Sequence, residues 1–148
     1  MSNDSSYPSL PKVDILYTMR EFDGQLVLDC IKNGPRGVVI GGTGSGGLPN
    51  GAKQVSKALV MGLKIVVGSR SPFGPSSPSR DPTFAKSGYI HLPQSRIMLQ
   101  PAIASGFDQN QVSIVPFRLI SKRHSSSFKI IELFESSLRE AIGQPFVY

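Results

Sequence analysis

Two apolar runs built almost wholly from β-branched residues and glycine, Gly37-Val-Val-Ile-Gly-Gly42 and Lys64-Ile-Val-Val-Gly-Ser69, constrain this chain more than any other feature. Neither alternates polar with apolar, so neither suits a strand with one face in water. Both suit strands buried on two faces of a parallel sheet. Parallel neighbours need a long crossover, and the segment between the runs supplies one. Asn50 reads as a helix N-cap, Val55, Ala58, Leu59 and Met61 as an apolar helical face, and Gly62 as its stop. Upstream, Val13-Asp-Ile-Leu-Tyr-Thr-Met19 reads as a first strand. A helix from Asp23 bearing Leu26, Val27, Leu28, Cys30 and Ile31 ends at Asn33-Gly34-Pro35. Downstream, a Pro/Ser-rich loop from Arg70 to about Lys86 leads to a short extended piece over residues 88–92. A helix is expected from about Pro93, kinked or shortened by Pro101. This β-α-β-α-β-loop-β-α alternation predicts an α/β fold: a small open parallel sheet of about four strands with helices on both faces, three-layered in the Rossmann-like or flavodoxin-like manner.

Size allows one such domain, since 148 residues with 39% hydrophobic content suit a single core. No apolar run approaches the length of a membrane span, and Met1-Ser-Asn-Asp-Ser-Ser-Tyr-Pro8 has neither a basic start nor an apolar stretch. A cytoplasmic chain without a membrane partner is expected. Cys30 is the single cysteine, and the two histidines, His91 and His124, stand far apart, so neither a disulfide nor a metal site is expected. The formal charge of +6 raises the question of nucleic acid. Within residues 112–129, however, Arg118, Lys122, Arg123 and Lys129 stand with no acid among them, and no aromatic residues interleave a basic motif. No nucleic-acid partner is expected.

The loop after the second strand admits several readings. Gly42, Gly44 and Gly47 satisfy GxGxxG between a strand and a helix, the setting in which that pattern holds a pyrophosphate, and Arg70 after the next strand suits a 2′-phosphate. An NADP-binding module or oxidoreductase fragment is therefore one alternative. A tight turn with no ligand is another. Ser45, His91 and Asp81 supply the types for a hydrolytic triad, but Thr43-Gly-Ser-Gly-Gly47 is not a GxSxG elbow. The carboxylates Asp14, Glu21, Asp23 and Asp29 are scattered and read as solvated surface.

Four blocks taken together carry a resemblance: Leu10-Pro-Lys-Val-Asp-Ile-Leu-Tyr17, Gly37-Val-Val-Ile-Gly-Gly-Thr-Gly-Ser-Gly46, Lys57-Ala-Leu-Val-Met-Gly-Leu-Lys-Ile-Val-Val-Gly-Ser-Arg70, and Ser87-Gly-Tyr-Ile90 followed by Ser95-Arg-Ile-Met-Leu99. In order and spacing they resemble the C-terminal domain of the type II L-asparaginase/glutaminase family, over about residues 8–111. The resemblance implies an amidohydrolase that converts L-asparagine to L-aspartate and ammonia without a cofactor. The family keeps its nucleophilic threonines, lysine and aspartate in an N-terminal domain, so this chain is expected to be inactive alone and no catalytic residue is assigned to it. Gly41-Gly-Thr-Gly44 looks like the family's nucleophile motif, but its neighbours align it with the glycine-rich C-domain loop, so Thr43 is not promoted. The resemblance implies a supporting role: the loop and a later acid reach the active site of a neighbouring subunit and contact the substrate's α-amino group or carboxylate. The candidate substrate-binding residues are Ser45, Gly47, which stands where the family usually has a polar residue, and Asp81, a loose counterpart of the acid. The implied partners are an asparaginase N-terminal domain or further copies of this chain, and a small amino-acid amide.

Residues 1–9 then read as a linker and 10–111 as the domain. Families of this kind end in a short helix after an Asp-x-x-Gln segment, here Asp108-Gln-Asn-Gln111. Removing residues 112–129 would join Gln111 to Ile130-Ile-Glu-Leu-Phe-Glu, whose apolar spacing suits that helix. Residues 112–129 therefore read as an insertion, and a translated intron is one source, because Val112-Ser113 is what an in-frame GTAAGT splice donor encodes. Residues 130–148 then form a C-terminal helix and tail. A basic loop with its own purpose is the rival reading of the insertion, and a non-catalytic interaction domain the rival reading of the whole.

Overall fold

The computed structural model describes residues 9–48, 50–77 and 84–118, with side chains to residue 113. The two β-branched runs form β2 (Gly37–Gly42) and β3 (Lys64–Ser69), paired in parallel with Gly37 opposite Lys64 and Gly42 opposite Ser69. Every residue of β2 is buried, as a central strand covered on both faces requires. β1 (Val13–Tyr17) pairs with β2 and β4 (Ala85–Lys86) with β3, both in parallel, giving the sheet order β1-β2-β3-β4. The helices are α1 (Gln25–Lys32), α2 (Ala52–Val60), α3 (Leu92–Ala104) and α4 (Gln109–Arg118).

Alternation along the strands sorts the core into two layers. Val38, Ile40, Ile65 and Val67 pack with Val27 and Cys30 of α1 and Val55 and Ala58 of α2. Val13, Val39, Val66 and Ala85 face the other way, onto Leu92, Leu99 and Ala102 of α3 and Val112 of α4. The expected three-layer α/β architecture is therefore what forms. Ile40 and Ile65 are wholly buried, each contributing about 1.5–3 kcal/mol of transfer free energy.

Several local expectations are corrected. Asn50 does not cap α2: Gly51 occupies the cap, and the Asn50 amide reaches across to the carbonyl of Arg20 at 3.3 Å. The fourth strand is Ala85–Lys86 rather than residues 88–92, because the chain turns at Ser87–Tyr89, with Gly88 at φ +57°. Pro101 does not shorten α3, which runs on to Ala104. Pro101 gives up its bond to the Ile97 carbonyl, and burial of Leu99 and Ala102 on either side of it against the sheet holds the helix together. The Asp108–Gln111 segment does start a helix. Gln111 N–H donates to Asp108 Oδ1 and Asp108 N–H to Gln111 Oε1, both at 2.8 Å, a reciprocal cap. α4 then continues past Gln111 through buried Val112 to Arg118. Residues 119–129 of the proposed insertion, and residues 130–148, lie outside the described residues, as do residues 1–8 of the linker.

Candidate functional site

In a parallel sheet the loops that leave the strand C-termini gather at one edge, where ligands of open α/β folds bind. Here that edge carries the glycine loop after β2, the serine-rich loop after β3 and the turn after β4. The glycine loop is a closed hairpin. Thr43 N–H donates to the Gly47 carbonyl (2.9 Å), while Gly46 and Gly47 N–H donate back to the Thr43 carbonyl (3.0 and 2.7 Å). Gly42 is needed at its base, because a Cβ there would lie 2.5 Å from the Gly46 carbonyl carbon and 2.7 Å from the Gly47 oxygen. Gly46 sits at φ +94°, a conformation L side chains rarely adopt. Ser45 is exposed at the tip.

Other loops hold this hairpin in place. Ser69 Oγ, at the end of β3, donates to the Gly44 carbonyl at 2.6 Å, Ser77 N–H to the Ser45 carbonyl at 2.8 Å and Lys86 Nζ to the Gly46 carbonyl at 2.7 Å. Ser76 links the β3 loop to the β4 turn: its N–H donates to the Gly88 carbonyl and its Oγ accepts from Gly88 N–H, at 2.8 and 2.7 Å. Burial pushes the half-buried Lys86 ammonium below the ordinary lysine range. Around the same edge Tyr17, Met19, Phe73 and Tyr89 stand exposed, Phe73 at 86% and Tyr89 at 69%.

Of the candidate residues, Ser45 and Gly47 share this hairpin, and Asp81 lies outside the described residues. Gly47 has no backbone need for glycine. A Cβ there would meet Thr43 Oγ1 at 3.2 Å, tight but adjustable. Thr43 is folded back, its hydroxyl 3.4 Å from the Gly47 carbonyl. Sequence reading missed Ser69, Ser77 and Lys86, because each acts on a carbonyl far along the chain.

The dinucleotide geometry does not assemble. α2 begins only at Ala52, and its cap, Gly51, lies against Phe22 and Gly24 instead of the hairpin tip. Among the described strands the order never reverses, so they form no switch-point crevice. Arg70 is engaged as well: its Nη1 donates to the Thr18 carbonyl at 2.9 Å. His91 is the exposed cap residue of α3, its backbone N–H 3.1 Å from Gln94 Oε1. Among the described residues no group of three His, Cys, Asp or Glu side chains is placed to hold a metal ion, and no helix is long and apolar enough to cross a membrane.

Fold and site together define a three-layer α/β domain with a braced glycine hairpin at the C-terminal edge of its sheet. The model of the glutaminase/asparaginase C-terminal domain matches residues 12–114, and the chain belongs to that family. Among relatives, it is 31% identical over 119 residues to L-asparaginase 2-3 of Saccharomyces cerevisiae, an alignment covering 78% of this chain and 33% of that protein. To L-asparaginase 2 of Bacillus subtilis it is 28% identical over 113 residues, covering 73% and 30%. The chain thus spans about a third of the length of the relatives it matches.

Proposed function

We propose that this domain supplies one wall of the substrate site of an L-asparaginase-type amidohydrolase, which adds water to the side-chain amide of L-asparagine and releases L-aspartate and ammonia. In this reading Ser45 presents its hydroxyl to the polar backbone end of the amino-acid substrate, with Asp81 as the accompanying carboxylate. The nucleophile and proton-transfer groups come from an N-terminal domain, or from a further copy of a chain that carries one. The 148 residues by themselves are inert. The observation that carries the reading is the hairpin itself, Ser45 exposed at its tip and three consecutive carbonyls tied down behind it. A preorganised loop of this kind suits a binding wall. The exposed Tyr17, Met19, Phe73 and Tyr89 around the same edge support the docking of a partner there, since aromatic and methionine side chains are enriched in interface cores.

Ammonia release from L-asparagine, measured for the purified chain with and without a separately expressed asparaginase N-terminal domain, tests this. Activity in the mixture alone is expected. Activity from the chain alone would overturn the division of labour and return Thr43 and Ser45 to consideration as nucleophiles. Silence in both would remove the hydrolase reading and favour a non-catalytic interaction domain.

A further inference from the structure

We propose that Lys86 is a positioning residue for the glycine hairpin, its ammonium fixing the Gly46–Gly47 peptide plane that backs the tip bearing Ser45. In the peptide joining Gly46 to Gly47, the carbonyl accepts from Lys86 Nζ at 2.7 Å and the N–H donates to the Thr43 carbonyl at 2.7 Å. In the peptide joining Ser45 to Gly46, the carbonyl accepts from Ser77 N–H at 2.8 Å and the N–H donates to the same Thr43 carbonyl at 3.0 Å. Both planes that follow the Ser45 side chain are thus pinned at each end. Without the Lys86 bond the 46–47 plane is held on one side only. It pivots at Gly46, whose missing Cβ and φ of +94° leave the backbone free to swing.

Lys86 carries the charge among the three donors that hold the hairpin tip, and charge-assisted bonds are about twice as strong as neutral ones. Its side chain crosses from β4 to a loop 40 positions earlier in the sequence. Among the described residues its ammonium meets no carboxylate, the ion pairs there being Lys12–Asp14 and Lys32–Asp29. A half-buried ammonium that meets no carboxylate among the described residues is costly to keep, and the Gly46 carbonyl is the compensation it receives there. Packing alone does not explain a charge in that place, since a methionine would fill the same volume.

The inference rests on the proposed function only for the use made of Ser45, and its test needs no substrate. In the intact 148-residue chain, the Lys86 15Nζ resonance is expected to exchange slowly with solvent and to show a nuclear Overhauser contact to the Gly47 amide. Lys86→Met is expected to speed hydrogen exchange at Gly46 and Gly47 about tenfold or more, with Val39 and Val66 in the sheet unchanged. Lys86→Arg, which keeps charge and donors, is expected to restore protection to within about threefold. A wild-type Lys86 signal that exchanges like an exposed lysine would overturn the proposal, as would wild-type exchange in Lys86→Met or an Arg variant as loose as the Met one. Should Lys86→Met unfold the sheet, the wild-type resonance and the Arg variant decide. A silent ammonia assay alongside a slowly exchanging Lys86 would sink the hydrolase reading and leave the strut standing.

Discussion

The two ends of the sheet are built by different rules. At the strand N-termini the connections are short, residues 33–36 between α1 and β2 and residues 61–63 between α2 and β3. They enclose a shallow cavity of about 280 Å³ lined chiefly by Ile31, Pro35, Met61 and Leu63, with Arg36 its charged residue. At the C-termini the connections are longer, residues 43–51 and 70–84, and side chains and amides from one loop hold carbonyls of another. Local turn chemistry closes both of the N-terminal connections, although Gln109 reaches Ile65 and Arg96 reaches the Val13 carbonyl at the same end from far along the chain. The second end exists only once the sheet has brought distant segments together, and it is the end with a shape worth presenting to a ligand.

The same methyl group placed at each end should have very different effects. Gly42→Ala drives a Cβ into the backbone of Gly46 and Gly47, which cannot yield without opening the hairpin. A loss of about 3 kcal/mol is expected in urea denaturation. Gly62→Ala meets nothing within 4 Å and suffers only from its φ of +94°, so about 1 kcal/mol is expected. Equal losses would show that the hairpin is as loosely built as the turns and would end the distinction.

A smaller effect is expected where the N-terminal end is held non-locally. β4 is too short to pair with Ile65, and the Gln109 side chain takes that place, donating from Nε2 to the Ile65 carbonyl (2.7 Å) and accepting its N–H at Oε1 (3.0 Å). Gln109→Ala leaves both groups unpaired beside a buried strand, and a loss of about 1–3 kcal/mol in the same assay is expected. A negligible change would mean water replaces the amide there, and that β3 has an open edge at this end.

How much of this was legible follows from the same division. β2 and β3 could be read because a continuous β-branched run allows few other structures; the start of α4 at Asp108-Gln-Asn-Gln111 came from the family resemblance, while its continuation through Val112 to Arg118 was not read. The glycine hairpin was legible as a loop, and Ser45 with it, since glycine density is a local signal. The braces were not. Nothing in the neighbourhood of Ser69, Ser77, Lys86 or Gln109 marks it as a partner for a carbonyl or strand edge 25 or more positions away. Asn50 misled for a related reason, as its side chain found Arg20, thirty residues back, in preference to the helix beside it.

Chemical reactivity distinguishes the buried faces from the open edge more gently. Burial, reinforced by the charge of Asp14, pushes the Cys30 thiol above the ordinary range. Alkylation of the native chain at pH 8 is expected to run at least about tenfold slower than that of free cysteine, recovering when urea exposes the thiol. The linkage has the matching sign. The folded state keeps its proton to higher pH than the unfolded one, so the group's contribution to stability is present below the unfolded thiol pKa and is lost as pH rises through the folded one. Rapid alkylation in buffer would place Cys30 at a mobile edge instead.

The smallest expected effect on stability bears most directly on the proposed function. Gly47 is exposed and shows no left-handed backbone, and a Cβ there needs only a few tenths of an ångström from the Thr43 hydroxyl, which already rotates to a long 3.4 Å bond. Gly47→Asn should therefore change stability by no more than about 0.5 kcal/mol, in contrast with Gly42, five positions earlier in the same hairpin. If the domain forms a wall of an asparaginase site, the new amide stands beside Ser45 and adds a polar contact for the substrate's backbone groups. The mixture with an N-terminal domain should then show a lower KM for L-asparagine, with kcat little changed, because a contact made equally in ground and transition states alters binding alone. A stable variant with an unchanged KM would separate the hairpin from the substrate while leaving its architecture intact. A variant that unfolds would mean the 3.2 Å approach to Thr43 is as rigid as the backbone contacts at Gly42, and that the whole hairpin, tip included, is a single locked unit.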